Sequence, residues 1–240
     1  MRRAERAAVE ARGVPGLSAP LVGRLRELEL LRSTLARAEE ERRLHIVTLV
    51  GDAGVGKSRL VREFVASLDV GTKLVFGRCL PYGQGVTLWP LVEILKGDAT
   101  ILDTDDTDVA LDKIRALVRE TIPTGLGADE ERLVAALAST VGLEMDDDPL
   151  AELGPRELYR ELLGAWRVLF SGLSAGQPVV AVVEDIHWAD ESMLRLLEEL
   201  AERGDGPLVF VCPARPDLMQ TRPPTGAEAG ATPRRSPSMP

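Results

Sequence analysis

Aromatic side chains are scarce in this 240-residue chain: four Phe, three Trp and two Tyr, 4% in all. A core must therefore be built mainly from Leu, Val, Ile and Ala. Only two cysteines occur, Cys79 and Cys212. They cannot make a disulfide framework, no CxxC pair points to zinc, and isolated thiols suit a reducing compartment. No apolar run approaches the ~20 residues of a membrane helix. The charged start, Met1-Arg-Arg-Ala-Glu-Arg, has no apolar stretch behind it, so no secretory signal is read. A cytoplasmic protein is expected. Basic charge is also short, with 29 Lys plus Arg against 38 Asp plus Glu and a net charge of -9. That balance argues against direct nucleic-acid binding, which needs a basic footprint. What is present, 45% hydrophobic and 28% charged residues, is ordinary for a folded globular domain.

The length fits one domain with appendages. Residues 1–19 read as a polar linker ending in Gly13-Val-Pro-Gly-Leu-Ser-Ala-Pro20. Residues 20–221 read as the domain. Leu25, Leu28, Leu31 and Leu35 recur at helical spacing before the apolar run Leu44-His-Ile-Val-Thr-Leu-Val50, a buried strand signal. A second helix carries Leu60, Val61, Phe64, Val65 and Leu68. Lys73–Arg78, Pro178–Asp185 and Pro207–Cys212 read as three more strands. The run Val179–Val183 is apolar on both faces, which places it inside a parallel sheet.

Residues 81–175 read as a loop and helical insertion. Stretch 81–106 is irregular and ends in an acidic cluster, Asp103, Asp105, Asp106 and Asp108, read as a solvated loop without a calcium-binding pattern. Helices are expected near 108–120, 129–141 and 155–173. Asp190 is placed to cap a helix that ends at Gly204. From Arg222 to Pro240 there are five prolines and no Leu, Ile, Val, Phe, Trp or Tyr. Such a segment cannot bury enough apolar area to offset its ordering entropy, so 222–240 is expected to be disordered.

Gly51-Asp-Ala-Gly-Val-Gly-Lys-Ser58 fits G-x-x-x-x-G-K-[ST] in full. Glycines let the backbone wrap phosphates with inward N–H groups, and the following helix adds its positive end. Gly51, Asp52, Ala53, Gly54, Val55, Gly56, Lys57, Ser58 and the next residue, Arg59, are thus candidate nucleotide contacts. Lys57 is placed for the β- and γ-phosphates, and the Ser58 hydroxyl for Mg²⁺. Glu184 and Asp185 end the third strand, where one acid holds Mg²⁺, directly or through water, and the next directs water. Glu184 stands where Asp is usual. Its extra methylene sets the carboxylate about 1.5 Å further out, which favours water-mediated contact. His187, next to Trp188, reads as a packed, hydrogen-bonded side chain rather than a catalytic base. From its position alone, Arg215 is an Arg after an apolar strand.

With these strings the chain resembles the nucleotide-binding domain of STAND-type AAA ATPases of the origin-recognition-like group. It is similar to the ATPase segment of large bacterial regulators that carry adenylate/guanylate cyclase or LuxR-type DNA-binding domains. The matching pieces are Pro20-Leu-Val-Gly-Arg24, the phosphate loop, Phe76-Gly-Arg-Cys through Ile94, Val183-Glu-Asp-Ile-His-Trp-Ala-Asp190 and Cys212-Pro-Ala-Arg215. The resemblance implies an α/β P-loop NTPase three-layer sandwich around a parallel sheet. It implies ATP or ADP and Mg²⁺ as ligands, and other regulator domains or a second copy as partners. Val22, Gly23 and Arg24 would border the adenine. Ser58, Glu184 and Asp185 would serve the metal, and Lys57, Asp185 and Arg215 would carry catalysis, with Arg215 sensing the γ-phosphate.

It also implies a fifth strand beside the phosphate-loop strand, then a helical lid and a winged helix. Four strands are readable, and Pro- and Arg-rich sequence occupies the place of the fifth. The expectation is a truncated product with a frame-shifted tail. Three functions stay open: slow ATP hydrolysis as a conformational switch, a non-hydrolysing nucleotide-binding module, or a nonfunctional fragment.

Overall fold

The computed structural model describes residues 23–81, 88–122 and 129–218. Linker 1–19, Val22, positions 82–87 of the irregular stretch and tail 222–240 lie outside the described residues. The element order is α1 (Leu25–Glu41), β1 (Leu44–Val50), α2 (Lys57–Ala66), β2 (Lys73–Arg78), α3 (Trp89–Ala99), α4 (Thr107–Thr121), α5 (Asp129–Thr140), α6 (Pro155–Ala175), β3 (Val179–Glu184), α7 (Glu191–Arg203) and β4 (Leu208–Ala214). A single 3₁₀ turn, Ile186–Trp188, follows β3.

The four strands form one parallel sheet in the order β1-β4-β3-β2. Among the described residues β1 has a neighbour on one side only, as the four-strand reading expected. Parallel register brings the carboxyl ends of β1, β4 and β3 to one edge. Val50 pairs with Ala214, and Arg78 pairs with Glu184. Ligands of open α/β sheets bind along that edge.

Strand alternation sorts the core into two faces. Val180, Val182, Val209 and Val211 pack with Leu31, Leu60, Val61 and Phe64 of α1 and α2. Val179, Ala181, Val183 and Phe210 face the helices of the insertion and α7. Few aromatics occur, yet three of them lie in this second layer. Trp166 and Phe170 lie 5.5 Å apart, and Phe170 meets Phe210 edge-on at 5.3 Å. The Trp166 indole donates to Thr140 Oγ1 at 3.2 Å, so its buried N–H is satisfied.

The three helices expected in the insertion form at nearly the expected bounds. α3 is an addition, where the sequence read as irregular. It is apolar almost all round, burying Pro90, Leu91, Val92, Ile94, Leu95 and Ala99. It therefore lacks the amphipathic period that marks a surface helix. Pro90 occupies its first turn, where a missing N–H costs nothing. Its backbone crosses β2 at Gly77, where a Cβ would stand 2.2 Å from the Pro90 carbonyl oxygen. The acidic cluster is built into structure as well. Asp106 Oδ1 caps α4 by accepting from the Val109 N–H, and Asp105 and Asp103 pair with Lys113 and Lys96.

Both cysteines are buried free thiols. Burial, with Asp185, Asp190 and Glu93 nearby, pushes the Cys79 thiol up to about 12, and burial pushes Cys212 up as well. At pH 8 the Cys79 thiol is therefore held protonated, whereas about a quarter of a free cysteine is thiolate. Iodoacetamide at pH 8 is therefore expected to label neither thiol in the folded chain and both in denaturant. Native labelling of Cys79 at the free-thiol rate would contradict this packing.

Candidate functional site

The phosphate loop leaves β1 at Gly51, whose N–H donates to the Ala214 carbonyl at 3.2 Å. The loop is thereby tied to the end of β4, one residue before Arg215. Gly54 and Gly56 take φ of +80° and +92°, the left-handed region that favours glycine. Gly56 is the N-cap of α2, and the Leu60 N–H donates to its carbonyl at 2.9 Å. Asp52, Ala53, Gly54, Val55 and Ser58 are exposed. Arg59 lies on the first turn of α2 with Glu63 at 3.9 Å.

Lys57 is the first residue of α2 and folds back over the loop. Its Nζ donates to the Asp52 carbonyl at 2.9 Å and to that of Gly51. Burial, then the Arg215 guanidinium, hold this ammonium below the ordinary lysine range. Asp185 and Asp52 oppose that shift, and Arg24 adds to it. Arg215, Arg24, Asp185 and Asp52 are therefore electrostatic neighbours of Lys57. Arg24 caps the loop from outside, its Nη2 donating to the Val55 carbonyl at 2.7 Å. Gly23, beside it, takes φ of +84°.

Asp185 follows β3 directly and adopts φ 56°, ψ 37°. A non-glycine residue held in the left-handed region costs about 1–2 kcal/mol, and such strain clusters at functional sites. Among the described residues its carboxylate makes no ion pair. Glu184 is placed differently. Its Oε2 accepts from Arg78 Nη2 at 2.9 Å and Nε at 3.3 Å, across the β2–β3 register. Arg78 is also anchored at its N–H, which donates to Glu93 Oε2 of α3 at 2.6 Å. The motif string had quoted Arg78 without a role. Only the strand pairing reveals its partner.

His187 lies on the turn after β3. It packs against Trp188, with ring centroids 5.1 Å apart, as expected of a packed side chain. The expected hydrogen bond is not formed: both ring nitrogens are buried and have no partner among the described residues. Burial holds the imidazole below the ordinary histidine range. Asp185 and Asp217 oppose that shift, and Arg215 and Lys57 add to it.

A family model described as AAA ATPase domain matches residues 20–211. The chain belongs to this family. The AAA match carries a nucleotide-binding, P-loop ATPase-type module, in accord with the loop geometry above. The chain is 32% identical over 177 residues to the uncharacterised protein R02095 of Rhizobium meliloti (strain 1021). That alignment covers 71% of this chain and 16% of the relative, so the AAA chain spans about a sixth of the protein it resembles. No helix among the described residues is long and apolar enough to cross a membrane.

The cradle holds Lys57, Arg24 and Arg215 around a glycine loop, and the Lys57 ammonium rests on carbonyls rather than on an anion. That arrangement suits a phosphate chain. Among the described residues no three His, Cys, Asp or Glu side chains converge as an all-protein metal cage. Mg²⁺ commonly uses one or two carboxylates with phosphates and waters, donors of the kind that Ser58 and Asp185 would supply.

Proposed function

We propose that this AAA domain is a nucleotide switch that binds Mg-ATP, hydrolyses its β–γ bond slowly, and passes the change to the rest of a larger STAND-type regulator. The carrying observation is the cationic cradle, in which Lys57 caps its own loop beside Arg24 and Arg215. Lys57 would exchange the Gly51 and Asp52 carbonyls for phosphate oxygens. The loop N–H groups from Gly51 to Ser58 and Arg59 would line the phosphates, with Val22, Gly23 and Arg24 near the base. Ser58 and Asp185 would hold Mg²⁺, which when bound supplies charge neutralisation at the phosphates. Glu184 joins them only when its ion pair with Arg78 opens. Asp185 would orient the attacking water, and Arg215 would sit at the terminal phosphate. Phosphoryl transfer depends chiefly on positioned charge of this kind. The regulator context is supported by the motif strings, and the small share of the relative that the chain covers accords with a larger protein. The partners would then be other domains of that protein or a second copy, in the cytoplasm.

The Arg78–Glu184 pair favours a second reading, a nucleotide-binding module that does not turn over. Phosphate release from the wild-type chain at saturating Mg-ATP separates the two. The switch predicts turnover on the order of 10⁻³–10⁻² per second, in the range of unassisted P-loop switches. Tight binding with no release would establish the second reading instead.

A further inference from the structure

Two buried ring nitrogens without partners are costly, because buried polar groups in folded proteins are nearly always hydrogen-bonded. His187 carries both of them, on the turn that follows β3, at the sheet edge where the phosphate loop and β4 end. Lys57, Asp185, Arg215 and Asp217 are its charged neighbours. The local chain does not need a histidine there for backbone reasons: its φ is not left-handed, unlike that of Asp185. Trp188 fixes the ring from one side. The remaining demand is for a polar ligand at the phosphate end of the site.

We propose that His187 is a nucleotide-sensing contact that donates a ring N–H to the terminal phosphate of bound ATP, and so sets the preference for ATP over ADP. The assignment rests on the proposed nucleotide site. An imidazole carries at least one N–H in either charge state, so the donor is always present. It lies two residues beyond Asp185, the acid proposed to direct the attacking water, and because both ring nitrogens are buried without ligand, the contact requires the ring to turn toward the loop when nucleotide binds. Arg24, by contrast, grips the loop at Val55. A purely packed histidine would be indifferent to which nucleotide is bound.

The test is calorimetric affinity for Mg-ATP and Mg-ADP on the full chain, as wild type, His187→Leu and His187→Asn. His187→Leu is expected to weaken ATP about tenfold to a hundredfold, the effect of a lost hydrogen bond to a charged group, and to leave ADP within about twofold. Its ligand-free melting temperature is expected to be no lower than wild type, since two unsatisfied nitrogens are removed. His187→Asn keeps an N–H donor and should recover most of the ATP preference. Should the leucine variant not fold, His187→Ala adds no bulk and gives the same comparison. An unchanged ATP-to-ADP ratio, or equal loss of both nucleotides, overturns the role of His187 while the nucleotide site stands. Wild type that binds neither nucleotide overturns the site and the assignment together.

Discussion

Lys57→Ala is expected to weaken Mg-ATP binding at least a hundredfold and to leave the fold almost unchanged. In the ligand-free chain, Lys57 rests on the Gly51 and Asp52 carbonyls of an exposed loop, groups that water can satisfy once the ammonium is gone. Loss of such contacts at a solvated site costs within about 1 kcal/mol of stability. The bound state is different. There the same ammonium would face two phosphate groups, and each charge-assisted hydrogen bond contributes about 1.5–3 kcal/mol. Two of them amount to a factor of a hundred or more. Calorimetry for affinity and a thermal melt without ligand would separate the two effects. A variant that binds as tightly as wild type would remove Lys57 from the site.

The second large effect is expected at Asp185, and it falls on turnover rather than binding. Asp185→Asn keeps the size and the tolerance for the left-handed backbone that Asp185 occupies. It removes the negative charge that would orient or deprotonate the attacking water. General-base contributions are about 10²–10⁴ in rate, so phosphate release should fall by at least about a hundredfold. ATP affinity should change by less than about tenfold, because Lys57, Arg24 and the loop amides remain. Equal turnover in Asp185→Asn and wild type would mean that another group directs the water. Glu184 would then be examined next, after Arg78→Ala has opened its ion pair.

Much of this architecture is legible in the residues because its signals are local. The phosphate loop needs glycines at φ positions that other residues avoid, and Gly54 and Gly56 occupy them. The four strands read as apolar runs because a parallel sheet is covered on both faces. α4 to α7 read as helices because each has one wet face. α3 escaped because it is wrapped by β2 and the insertion, so burial removed the polar stripe that periodicity relies on. The site divides in the same way. Lys57, Asp185 and Arg215 follow from motif position, and the fold brings them within electrostatic reach of one another. The Arg78–Glu184 pair depends on strand register, and the unsatisfied ring of His187 depends on what fails to surround it. Neither is a property of spacing along the chain.

The proposed switch requires a working nucleotide site in this chain. Its most direct test is titration of the wild-type chain with Mg-ATP in a calorimeter, beside a melt at 100 times the dissociation constant. Saturable one-to-one binding is expected, with a stabilisation of about 2.7 kcal/mol visible as a rise in melting temperature. A folded chain that releases no heat and shows no melting shift with either Mg-ATP or Mg-ADP would contradict it.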